Sequence, residues 1–106
     1  MPRKLKPIHP GEHLREDIMK PLGLSSNALA RALEVTPARI NEILRERRGI
    51  SADTALRLAR YFGTDAQSWL NLQSHYDIQC AKDEAGRAIE RIQPMKGLPE
   101  YPAVTA

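Results

Sequence analysis

Arg39, Asn41, Glu42, Arg45, Arg47 and Arg48 crowd into one short stretch of this 106-residue chain, and their side chains are of the kinds that contact nucleic acid. Arginine can hold a guanine edge through two hydrogen bonds, asparagine an adenine edge, and glutamate can accept from cytosine N4. At about 100° per residue on a helix, Ala38, Glu42 and Arg45 lie opposite Ile40, Ile43 and Leu44, with Arg39 and Asn41 on the flanks. One face is small and polar and the other is apolar, as a helix needs if it is to rest on a core while presenting groups to base edges.

The elements that must position these residues can be read on either side. Leu29, Ala30 and Leu33 have helical spacing, and so do Ile40, Ile43 and Leu44. Between them Thr36-Pro37 reads as an N-cap followed by proline at the first helical position, where the missing N–H is no loss. One helix therefore ends near Leu33 and a second starts at Pro37 after a turn of about three residues. This is the helix-turn-helix plan, whose second helix enters the major groove. The turn calls for a left-handed residue at Glu34, where glycine is the cheap choice and Glu costs on the order of 1 kcal/mol.

Around this unit the chain predicts three more helices. Pro10 to Lys20 forms the first, with Leu14 and Ile18 facing the core and Pro21 and Gly23 stopping it. Ser25 caps the helix containing Leu29, and Ser25, Ser26 and Asn27 make a phosphate seat at its amino end. Gly49 is expected in the left-handed conformation that ends the reading helix. Ser51 caps a fourth helix whose stripe is Ala55, Leu58, Ala59 and Phe62, closed by Gly63. Thr64 and Gln67 form a capping box for a fifth, with Trp69, Leu72 and Tyr76 on one face. After Tyr76 the periodicity weakens. Ala88–Ile92 is a brief apolar segment, a short strand or a helical turn, and residues 94–106 read as a flexible tail. The domain organisation is a basic arm over 1–9, in which Arg3, Lys4 and Lys6 face phosphate, protein or solvent, a helical domain over 10–84 and an extension over 85–106.

Charge is uneven: residues 1–48 carry +4 and residues 49–106 carry −1, so positive charge gathers around the reading unit. No apolar run approaches the roughly 20 residues of a membrane span, and the basic amino end lacks the apolar stretch of a secretory signal. A single cysteine, Cys80, fits a reducing cytoplasm. His9 and His13 are four apart, but His9 precedes the helix and no further ligand completes a metal set. Ser25, His13 and Asp17 can be written as a triad, yet nothing in their spacing orients a base on a nucleophile. Neither catalysis, a metal nor a cofactor is expected.

The flanking runs narrow the reading. His9-Pro10-Gly11-Glu12, Arg48-Gly49-Ile50-Ser51, Ala55-Leu56-Arg57-Leu58-Ala59, Trp69-Leu70-Asn71-Leu72-Gln73 and Tyr76-Asp77 together resemble the HigA (VapI-like) antitoxin family, within the XRE/Cro-type helix-turn-helix proteins. The match covers about residues 8–80. The resemblance implies an all-α, five-helix, lambda-repressor-like domain with a partly flexible tail. It implies a partner, a HigB-like toxin of the RelE-like mRNA-cleaving kind, and repression of the protein's own operon through palindromic double-stranded operator DNA. Carried onto this chain, phosphate would be seated by Ser25, Ser26 and Asn27. Base-facing positions would be Thr36, Ala38, Arg39, Asn41, Glu42 and Arg45, with Arg47 and Arg48 beside the backbone. A single copy offers one reading helix, so a homodimer is expected, and the apolar content of Trp69, Tyr76 and the segment beyond nominates them for its interface. A stand-alone XRE-type repressor with no toxin is the alternative.

Overall fold

A computed structural model describes residues 6–98 and contains five helices and no strand among them. Arg3 and Lys4 of the expected arm, and the tail beyond residue 98, lie outside the described residues. The first helix, α1, is one continuous rod: an α-turn over Pro10–His13, wider π-type turns over Leu14–Met19 and a last α-turn over Lys20–Leu22. It is followed by α2 (Ser26–Leu33), α3 (Pro37–Leu44), α4 (Ala52–Phe62) and α5 (Ala66–Glu90). Leu14, Met19, Leu29, Ala30, Leu33, Ile40, Ile43, Ile50, Ala55, Leu58 and Trp69 form one core to which every helix contributes.

The wide turns of α1 revise two expectations. In a π-type turn residues five apart share a face, so Met19 rather than Ile18 joins Leu14 in the core, and Ile18 is only partly buried. Nor does Pro21 stop the helix. A proline ring clashes with the carbonyl four residues before it in a regular α-helix, and the wide turns preceding Pro21 relieve that crowding. The helix ends at Gly23, which is left-handed at φ 64°.

The expected caps at Ser25, Thr36 and Ser51 are present, each accepting from a backbone N–H three residues on. The box at Thr64 is not. Asp65 caps α5 by accepting from Ser68, and the Thr64 hydroxyl instead receives the Trp69 indole N–H at 3.1 Å. Trp69 is thereby enclosed in its own protomer. Leu72 points to solvent, and the inward face of α5 is Ala66, Trp69, Leu70 and Gln73. Beyond Tyr76 the chain remains helical to Glu90, so Ala88–Glu90 is a last turn and not a strand. A helix exposed on most sides needs no apolar period. Good helix formers such as Gln79, Ala81, Lys82, Glu84 and Arg87 suffice.

The His9-Pro10-Gly11 lead-in is a joint between α1, α3 and α5. The His9 side chain is 3% exposed. Its Nδ1 accepts from the Gly11 N–H at 2.8 Å, and its ring meets Tyr76 edge-on at 4.8 Å. Burial, aided by Arg15, holds the imidazole below its ordinary value near 6.5, and the carboxylates of Glu46 and Asp77 oppose this without reversing it. The unfolded chain therefore takes up the proton first. Stability present above about pH 6.5 is expected to fall as pH drops through that value and on toward the lowered folded one. Urea melts from pH 8 to pH 5 should show this slope in the parent and a flatter one in His9→Asn, which keeps a capping oxygen but does not titrate. Equal slopes would assign the loss to another group.

Candidate nucleic-acid interface

α2 and α3 are each held at the C-terminal end by a side chain from another helix. Each ends in a left-handed glutamate, Glu34 at φ 57° and Glu46 at φ 61°. Glu34 is where the turn demanded it. Glu46 was not anticipated, because Gly49 looked the cheaper terminator. The reading helix in fact stops at Leu44, and Arg47 N–H closes back on the Glu42 carbonyl at 2.9 Å. Gly49 serves a different need. A Cβ there would lie 2.8 Å from the Gln73 amide, whose Oε1 accepts from Ile50 N–H at 2.7 Å. Gly49 thus lets α5 brace the link that leaves α3.

Two arginines from the flanking helices satisfy the carbonyls at these ends, as cations at helix C-termini should. Arg57 of α4 donates to the carbonyl oxygens of Leu33 at 2.8 Å and Glu34 at 3.4 Å. Arg15 of α1 donates to the Leu44 carbonyl and lies 3.6 Å from the Glu46 carboxylate. Neither was singled out from the chain, since a tertiary cap leaves no local signature. Gly11 completes the seat: a Cβ on it would stand 1.9 Å from the Ile43 carbonyl oxygen, so α1 crosses α3 at backbone contact.

On the outer surface Thr36, Ala38 and Arg45 are exposed, and Asn41 and Glu42 are half-buried. Thr36 Oγ1 is engaged in capping Arg39 N–H at 3.1 Å. The acidic Glu42 is neutralised in place by Arg48 at 3.2 Å. Arg45 and Arg47 make no ion pair with any described residue, whereas Arg39 does: its Nη1 donates to Asp53 Oδ2 at 2.8 Å. Asp53 also receives Arg57 Nε at 2.9 Å. These two hydrogen bonds, Arg57's the stronger influence, hold the Asp53 carboxyl below the usual carboxylate range. Ser25 and Asn27 are exposed at the start of α2, with Ser26 half-buried and the Ser25 hydroxyl accepting from Ala28 N–H. The surface thus brings together the polar face of α3, the amino end of α2 and the arginines that follow Leu44.

The two histidines of α1 and its lead-in have local partners. His13 Nδ1 sits 2.7 Å from Asp17 on α1, while His9 caps that helix. No helix among the described residues is long and apolar enough to cross a membrane.

Comparison with known proteins places this geometry in context. A family model described as helix-turn-helix matches residues 16–69. Virulence-associated protein I of Dichelobacter nodosus is 68% identical over 77 residues, which make up 73% of this chain and 71% of that protein. The structure of the Pseudomonas aeruginosa antitoxin HigA with the higBA promoter superposes with a TM-score of 0.81 at 51% identity, covering 84% of this chain and 98% of that one. The antitoxin GraA in complex with its operator gives 0.80 at 46% identity, covering 90% and 97%.

Proposed function

This chain belongs to the HigA (VapI-like) antitoxin family and carries an XRE-type helix-turn-helix domain, and from that premise we propose that it is the cytoplasmic antitoxin of a two-protein toxin–antitoxin module. It binds palindromic operator DNA of its own operon as a homodimer and neutralises a HigB-like, RelE-type toxin that cleaves mRNA. The observation that carries the DNA half is the outer face of α3. Thr36, Ala38, Asn41, Glu42 and Arg45 lie on it or at its ends, and the guanidinium groups of Arg45 and Arg47, unpaired among the described residues, flank its end. Family membership supports the toxin half.

In this reading Arg39, Asn41 and Arg45 read bases, while Arg47 and Arg48 meet phosphate. Arg45→Ala or Arg39→Ala is expected to cost roughly 1–3 kcal/mol on the cognate site and to relax preference at one position. Arg48→Ala weakens all sequences alike. Binding of matched and point-substituted duplexes checks this, and uniform losses in all three variants would remove the base-reading assignment. The dimer draws its contact from Tyr76 and the segment beyond it, where Ile78 and Ile89 of α5 and Ile92 just past its end are exposed. Sedimentation showing a strict monomer at micromolar concentration, with and without DNA, would eliminate it.

The deciding experiment for the module is co-purification. The tagged chain is expressed with the small open reading frame adjacent to its gene. A stoichiometric complex that survives high salt, with a partner that arrests growth when expressed alone, is the expected result. A partner-free protein that still binds its promoter would leave a stand-alone repressor.

A further inference from the structure

The side chains around Asp53 form a relay. Backbone carbonyls at the end of α2 hold the Arg57 guanidinium, Arg57 Nε holds Asp53 Oδ2, and the same oxygen holds Arg39 Nη1 on the reading helix. Arg39 Nε and Nη2 make no hydrogen bond to any described residue, so donors remain available beyond the one that Asp53 uses. Arg39 occupies the first turn of α3, the end that a reading helix presents to base edges. We propose that Asp53 is a positioning residue for sequence readout: it fixes the Arg39 side chain so that its remaining donors meet a guanine in the major groove. This deepens the DNA-binding reading above and rests on it. A long arginine side chain that is free in solution loses much rotamer freedom on docking, and one already held in place loses less. The relay is anchored on main-chain oxygens and not on another mobile side chain, so the orientation it imposes is that of the domain itself.

The alternative role for Asp53 is as a competitor that merely occupies Arg39, and the two roles predict opposite signs. Removing an acidic charge beside DNA strengthens binding to every sequence. If Asp53 also positions Arg39, its removal additionally erases a preference for guanine at one position. The test selects sites for the full chain from a random 20-base-pair duplex library, with Asp53→Asn, Asp53→Glu, Arg57→Gln and Arg39→Ala in parallel and thermal melts as a folding control. Asp53→Asn is expected to lose guanine preference on the order of tenfold, at the same position as Arg39→Ala, while binding to unselected competitor DNA holds or rises. Asp53→Glu should restore part of that preference. Arg57→Gln, which leaves the carboxylate but removes its anchor, should blunt the same position. Full guanine preference in both Asp53→Asn and Arg57→Gln, or a gain of cognate affinity in Asp53→Asn, overturns the assignment alone. A wild-type chain that enriches no sequence overturns the DNA-binding reading and this inference with it.

Discussion

Gly11→Ala is expected to be the most damaging single-methyl change in the protein. The added carbon would sit 1.9 Å from the Ile43 carbonyl oxygen and 2.9 Å from its carbon. Both are main-chain atoms of α3, so no rotamer change can make room. Overpacked sites typically cost about 1–3 kcal/mol, and a backbone obstacle puts this one at the upper end. In a domain of this size that corresponds to a fall in Tm of roughly 15 °C. The displacement falls on α3, so operator affinity should fall with stability even though Gly11 is remote from the reading surface. Gly86→Ala provides the contrast. It is helical with nothing within 4 Å of the new methyl, and should gain up to about 1 kcal/mol. Thermal melts of the two variants side by side decide the matter. A Gly11→Ala protein melting within a couple of degrees of the parent would mean that α1 can draw back from α3 at little cost.

The second large effect is on DNA affinity. Two copies that together set Arg47 and Arg48 near phosphate would engage about four charges, for a slope of log affinity against log salt near −3.5. Raising salt from 50 to 200 mM should then weaken binding of the promoter duplex on the order of a hundredfold. Arg47→Ala, which alters both copies, should flatten the slope by about 2. Fluorescence anisotropy over a salt series measures both quantities. A slope near zero would identify a protein-interaction module that has kept the helix-turn-helix shape without its DNA chemistry.

Features carried by local chemistry were legible in the chain. The Thr36-Pro37 start of α3, the Ser25 and Ser51 caps, the strained Glu34 and the Ala55–Leu58 stripe each follow from neighbours in sequence, and each is present. Features set by distant partners were not. Glu46 outcompeted Gly49 as the left-handed terminator because Arg15, far away in the chain, was there to receive Leu44 and Glu46. The π-type turns of α1 leave no mark on a 3.6-residue period, which points to Ile18 where the structure buries Met19. The length of α5 leaves no amphipathic period in the sequence because its last turns bury little. At the interface, the chemistry of Arg39 and Arg48 was readable but their engagement by Asp53 and Glu42 was not, since ion pairs between α3 and residues beyond it depend on the packing angle.

The two tertiary caps bear on how this protein can diversify. Because Arg15 and Arg57 hold the ends of α2 and α3 through main-chain oxygens and make no ion pair or hydrogen bond with Ala38, Asn41 or Arg45, the scaffold is indifferent to which side chains stand at those three positions. In the base-reading role proposed for them, those positions can drift toward a new recognition sequence without disturbing the mount, so paralogues in one cell would acquire separate targets by a few surface exchanges. Arg39 is the exception, since the guanidinium proposed to read a base is also tied to Asp53. A lineage that changes its target there must change residue 53 as well, and the two positions are expected to vary together.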